Sequence, residues 1–368
     1  MLLLSLYKGG ACRSLDKGGP LARLIALSVT FTDLKMSQLS HIFVLYVLIH
    51  AHQSLGGRLH PNNQEENAGT SLELVSMKEK ATNLQDTNPY FNFSHKLLKS
   101  VWMSNGQDLA PDDDGAVMSY YAAHHTQERA SGYYGLVATM DVYGHNLNVD
   151  QLTMGAIWII NSNGHVSNVN AITVGWLVWP SHFNDSRTYL FTEWINDSNG
   201  QTKGCMNGDC NPGFQFVSGS PIFPGDVLDP VSQPNNARQN LTIKVFKEKS
   251  MGYWWVHCGF NSDPVPVGFF RGTLFDSLSS KATKILVGGY TTKYKKDVPS
   301  PPMGSGASAS SDTRKAALVR DIQFIDEDGN STPIGDDDML ATIVDNRLYF
   351  ALPIAGGQFS YGGPGGYA

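Results

Sequence analysis

The chain has 368 residues, of which 41% are hydrophobic and 16% charged, with 37 glycines and a net charge of −6. That length suits one large domain or two modest ones with a sizeable core, and the acidic balance excludes the basic surface that nucleic acid requires. Low charge, abundant glycine and 11% aromatics fit strands and turns better than helices.

The N-terminus reads as a leader. Ile42 to Ile49 form a compact apolar run, Lys35 precedes it, and Ser54 and Gly56 follow at cleavage-like spacing. This pattern matches a secretory signal and is too short to span a bilayer. Met36 is a natural start for it, which leaves residues 1–35 as an upstream extension or an artefact of the assigned start. The expected division is residues 1–56 as extension and signal, with no membrane span in the mature chain. Five acceptor sequons, at Asn92, Asn184, Asn196, Asn240 and Asn330, agree with a secreted or vacuolar glycoprotein. Of the four cysteines, Cys205 and Cys210 bracket a turn-forming linker and are expected to pair, which suits an oxidising compartment. Cys258 is left over, buried or free. A zinc site has no support, because no second Cys or His pair follows at ligand spacing.

Residues 57–130 are polar and mixed. A loosely amphipathic helix fits 67–84, although Glu79 stands where an apolar residue is expected. Asp112, Asp113 and Asp114 before Gly115 read as a solvated turn, and His124-His125 as a loop pair. From Gly132 the pattern is all-β. Predicted strands cover 135–143, 154–160, 171–179, 189–194, 241–247, 253–257, 265–270, 282–287 and 317–325, separated by turn-forming residues. Between 157 and 194 three β-branched and aromatic runs follow one another without helical spacing, which predicts antiparallel neighbours. The middle run is apolar at odd and even positions, as in a strand covered on both faces or lining an enclosed cleft. Residues 298–312, rich in Pro, Ser, Gly and Ala, read as a surface loop. Asp326 to Asn330 read as a turn, since a calcium loop would need a ligand ladder and closing Glu that are missing.

The segment Asn170-Ala171-Ile172-Thr173-Val174-Gly175-Trp176 resembles a signature of the neprosin family, whose best-known members are secreted plant glutamic peptidases that cut after proline. Further markers follow in family order: Gly204-Cys205, Gly252 with Trp254-Trp255, Gly288-Gly289, Met303 to Gly306, Ile322-Gln323 and Tyr361 to Gly365. Asn88 to Phe91 and His95 to Lys99 resemble the family's activation segment. The resemblance implies an antiparallel β-sandwich over 131–368, preceded by a diverged pro-region over 57–130, with the substrate cleft across one concave sheet.

The family chemistry needs two glutamates facing one another. Two close carboxyls split their pKa values and so provide an acid and a base at one pH, with no metal and no cofactor. In the family pattern one glutamate precedes Val-Gly-Trp and the other follows Gly-Gly. Here Thr173 and Tyr290 stand at those places. Neither is a base in acid, so the resemblance implies a scaffold that has lost its catalytic couple, a pseudo-peptidase that can still hold proline-rich chains. Glu193 is the candidate substitute acid. A Cys–His couple of His257 and Cys258 is disfavoured because neighbours on a strand point to opposite faces, and no serine elbow is present. Trp176, Trp194 and Trp255 are candidates for the cleft, while large aromatics also serve as core. Two other readings stay open: an active prolyl-directed peptidase that uses different acids, and a lectin-like or structural module that binds a cell-wall polymer.

Overall fold

The computed structural model describes residues 117–367, apart from 130, 163–167, 199–200, 234 and 344–346. The leader, Cys12, the 67–84 helix, the activation-like segment with Asn92, and Asp112 to Gly115 lie outside the described residues.

The strands run in this order: β1 (Met118–Thr126), β2 (Gly135–Asp141), β3 (Gln151–Asn161), β4 (Asn170–Val178), β5 (Tyr189–Ser198), β6 (Gln201–Met206), β7 (Gln215–Phe216), β8 (Asn240–Lys247) and β9 (Trp254–Phe260). There follow β10 (Val265–Phe270), β11 (Lys284–Lys293), β12 (Met303–Gly304), β13 (Ala317–Ile325), β14 (Ser331–Pro333), β15 (Met339–Ile343), β16 (Phe350–Ala351) and β17 (Phe359–Gly363). One four-residue helix, α1 (Pro180–Phe183), joins β4 to β5. The first sheet is ordered β15-β1-β11-β3-β4-β5-β6, and the second β12-β17-β13-β2-β8-β9-β10-β7, with β14 beside β13 and β16 beside β17. Ladders such as β3 with β4 and β8 with β9 are antiparallel, as expected for strands joined by short turns.

Sequence pattern accounts for much of this. β8 alternates half-buried and buried residues along its whole length, with Leu241, Ile243 and Val245 turned to the core. β3 and β4 are buried at every position, which explains why their sequences are apolar without alternation. Two departures matter for the site. β11 runs on to Lys293, so Tyr290 sits inside a strand and not beyond one. The His124-His125 pair, expected in a loop, lies in β1, which is hydrogen-bonded between β11 and β15. The sequence Tyr120-Tyr121-Ala122-Ala123-His124-His125 changes character every second residue, so it carries neither the strand nor the helix period.

The two sheets pack through large side chains seated on missing ones. A Cβ at Gly155 would lie 2.7 Å from Trp176 Nε1 and 2.8 Å from Tyr361 Oη. At Gly289 it would lie 2.5 Å from the Tyr361 ring. Trp176 is fully buried and its Nε1–H donates to the Asp141 carbonyl at 3.0 Å, tying β4 to β2 across the core. The Asp141 carboxylate, itself fully buried, pairs with Arg238 through Nη1 and accepts from the Leu318 amide at 3.0 Å. Arg320 approaches its other oxygen at 3.5 Å. A buried carboxylate is tolerable only with such partners.

Two outcomes are expected. Asp141→Ala leaves two arginines and an amide without their acceptor, and should cost about 3–5 kcal/mol in denaturant melts. His124, His125 and His257 are each held near a pKa of about 4, chiefly by burial, with His125, Lys284 and Lys244 respectively adding repulsion. Their folded values lie below the unfolded value near 6.5, so the unfolded chain binds protons first as pH falls. Melting temperature should therefore decline from about pH 6.5 down to about 4, and His124→Phe should flatten that decline.

Candidate functional site

Thr173 lies in β4 and pairs with Trp158 of β3 on one side and Glu193 of β5 on the other. Tyr290 lies in β11 and pairs with Tyr121 of β1 and Met154 of β3. Residues two apart on a strand share a face. Trp158 pairs with Leu286, four residues before Tyr290, so Thr173, Trp158, Glu193, Tyr290 and Tyr121 all stand on one face of the first sheet. The other face carries Trp176 and meets the second sheet, so this group occupies the sheet's outer side.

Between Thr173 and Tyr290 runs a row of small residues. Ala123, Gly288, Ala156 and Gly175 pair in sequence across β1, β11, β3 and β4. A Cβ at Gly175 would lie 2.1 Å from the Gly155 carbonyl, so the floor there is closed to any larger residue. Tyr290 and Tyr121 flank this row on one side, and Trp158, Thr173 and Glu193 on the other. The flanking rings lean toward one another: Tyr121 meets Tyr290 at 5.1 Å between centroids and Trp158 edge-on at 6.3 Å. The group is enclosed, with Tyr290 fully buried and Glu193 3% and Thr173 2% exposed.

Enclosure sets the protonation of the phenols. Burial raises Tyr290 well above the ordinary phenol value, and the negative charge of Glu193 adds to it. Tyr294 is pushed up by burial and then by Glu193, and Tyr121 by burial and then by Tyr290. All three remain neutral hydrogen-bond donors at any physiological pH. Tyr290 reaches toward Ser119 Oγ at 3.4 Å, and the buried Tyr121 hydroxyl has no hydrogen-bond partner among the described residues. Glu193 is the carboxylate whose field reaches Tyr290 and Tyr294. The next acid along β5, Asp197, lies four residues further on and accepts from Thr202 at 3.3 Å. Among the described residues the arrangement thus offers the Glu193 carboxylate, a threonine hydroxyl and several phenolic donors in a closed aromatic setting. Such a set can hold an amide by accepting from its N–H and donating to its C=O.

The remaining sequence candidates scatter. Trp176 is on the inner face. Trp194 is 5% exposed and sits edge-on to Phe275 at 5.9 Å. Trp255 lies half-buried on β9 in the second sheet. None of the three stands on the face that carries Thr173 and Tyr290. Trp158 and Tyr121, which do stand there, escaped the sequence reading. Neither was recoverable: the β3–β4 connection is too long to fix the register that sets Trp158 opposite Thr173, and the strand of Tyr121 has no periodic signal. The disulfide between Cys205 and Cys210 is formed, and Met206 inside that loop pairs with Glu193. Asn207 clasps β5 as well, donating its backbone N–H to the Thr192 carbonyl and accepting from the Thr192 amide. Cys258 is a buried free thiol whose pKa burial raises, and His257 points to the opposite face. Among the sequons, Asn184 and Asn330 are exposed, Asn240 is half-buried, and the Asn196 amide is engaged at both ends, by Leu274 and by Asn170.

Comparison with solved structures gives distant likenesses. Scytalido-glutamic peptidase bound to a transition-state analog inhibitor is 11% identical, with a TM-score of 0.37 over 68% of this chain and 100% of that one. The kappa-carrageenase of Pseudoalteromonas carrageenovora, in complex with an oligotetrasaccharide of kappa-carrageenan, is 11% identical, with a TM-score of 0.28 over 50% and 68%. The family model for neprosin matches residues 149–364, a span that holds both Thr173 and Tyr290. The chain belongs to the neprosin family.

Proposed function

We propose that this chain is a secreted, peptidase-like protein that lacks the family's two-carboxylate chemistry and that its Thr173–Glu193–Tyr290 face, enclosed in this conformation, holds extended, proline-containing chains once exposed. The observation that carries this reading is that, among the described residues, Glu193 is the carboxylate found on the face of Thr173 and Tyr290. Hydrolysis by a glutamic couple needs one ionised and one protonated acid on the same water and carbonyl, each with a pKa near the working pH. Glu193 can fill one of those roles. Its neighbours Tyr290 and Tyr294 have phenols driven further from neutrality, and are poorer proton donors for it. General acid–base catalysis contributes about 10²–10⁴-fold, and that contribution is forfeited when one partner is missing.

Recognition needs less. Proline has no N–H, so a proline-rich chain presents ring methylenes and acceptor carbonyls, which suit a face of aromatic rings and phenolic donors. Secretion fits the leader-like Ile42 to Ile49 run, the sequons and the Cys205–Cys210 bridge. Of the sequons, Asn184 and Asn330 have the exposure that a glycan requires.

A fluorogenic proline peptide assayed at acidic pH separates this reading from an active peptidase built on other acids. The expected result is no cleavage above the rate of the Glu193→Gln variant, together with saturable peptide binding that the variant weakens. Turnover abolished by Glu193→Gln would overturn the proposal and assign Glu193 a catalytic role.

A further inference from the structure

The outer side of the second sheet carries an ordered aromatic rung. Phe246 of β8 pairs with Trp255 of β9, which pairs with Phe269 of β10, so three rings stand in register across three adjacent strands. With strands ~4.8 Å apart, the rung is about 10 Å wide. All three are half-buried, whereas their neighbours in sequence, Val245, Trp254 and Phe270, are buried in the core. Trp255 meets Phe269 at 5.0 Å between centroids, and Tyr253 stacks on the far side of Phe269 at 4.8 Å and 2°.

Polar rungs follow in strict order along the strands. Two residues on, Lys244 pairs with His257; two further on, Thr242 bonds to Thr139 at 3.1 Å between hydroxyl oxygens. Lys244 holds its ammonium 4.8 Å over the Phe246 ring, and His257 sits edge-on to the same ring at 5.2 Å. Among the described residues no salt bridge engages Lys244, and Tyr253 and Trp255 are both half-buried on this face. The acids beside this face are engaged elsewhere: Glu248, next to Tyr253, accepts from the Ser250 and Met251 amides at 2.6 and 2.8 Å, Asp141 lies buried with Arg238 and Arg320, and Asp321 faces Arg320 at 3.5 Å.

Aromatic residues with a polar tip are placed this way at binding surfaces, because one end is apolar and the other wet. A pyranose chain has the matching form. Its C–H faces stack on rings, and its rim of hydroxyls meets donors beside them. Lys244, a cation without an acid, adds a demand for negative charge on the ligand. The rings are tilted to one another by 44° between Trp255 and Phe269, which suits a single flexible chain and not a flat crystalline array.

We propose that Tyr253, Phe269, Trp255, Phe246, His257 and Lys244 form a second binding surface, for an acidic polysaccharide of carboxylate-bearing pyranose units. It lies on the opposite sheet from Glu193, so it stands or falls independently of the peptidase reading.

Titration calorimetry of the full chain with oligogalacturonate, a neutral cello-oligosaccharide and a proline-rich peptide tests this. Oligogalacturonate should bind saturably and more tightly than the other two, with affinity falling as salt rises. Trp255→Ala and Lys244→Gln should each weaken it about tenfold or more, as for a central residue of a binding patch. Lys244→Gln alters only a surface tip and decides the matter should Trp255→Ala fail to fold. Absence of oligogalacturonate binding, equal binding of the neutral sugar or the peptide, or an unchanged affinity in Lys244→Gln would each overturn the proposal.

Discussion

The buried carboxylate of Asp141 is the interaction on which the sandwich depends. Its side chain gathers Arg238, Arg320 and the Leu318 amide, and its carbonyl receives the indole N–H of Trp176. One residue at the end of β2 thereby holds a partner strand, two cations and an inner strand, β4, of the opposite sheet. Ion pairs in a dry interior contribute little net stability against an apolar substitute, yet they are costly to break singly. What they give is a defined arrangement of β2, β13 and the segment before β8, while the Trp176 bond to the Asp141 carbonyl carries that order across to the first sheet. Trp176 then fixes which side of β4 faces inward, and by alternation turns Thr173 to the outer side.

That coupling explains the fate of the family signature. The Val174-Gly175-Trp176 run serves packing: Trp176 reaches Asp141, and Gly175 lies against the Gly155 carbonyl. These constraints hold whatever residue occupies position 173. Likeness of sequence at this segment therefore tracks the core. On the outer face Thr173 has the Glu193 carboxylate one strand over, and the phenols of Tyr290 and Tyr121 stand on the same face.

Legibility in the sequence followed the same division. Strands of strong character, β4 and β8 among them, were readable because β-branched and aromatic runs have a clear physical cause. The β-sandwich class, the disulfide and the family all followed from such local signals. Contacts between distant segments were not readable. The Asp141 cluster joins residues 141, 238, 318 and 320, which no periodicity connects. The tryptophans illustrate the limit well: composition identifies them as anchors, but only register reveals that Trp176 points inward, Trp194 packs on Phe275 and Trp255 belongs to another sheet. Trp158, opposite Thr173, needed the hairpin register as well.

The position of β1 limits where the chain can be cut. It is hydrogen-bonded to β11 on one side and β15 on the other, and it supplies Tyr121 to the outer face. A segment that only lies against a fold can be removed without disturbing its hydrogen bonds. Met118–Thr126, paired on both sides, cannot. Any cut that leaves this sheet intact therefore falls ahead of Met118, and Tyr121 stays with the fold.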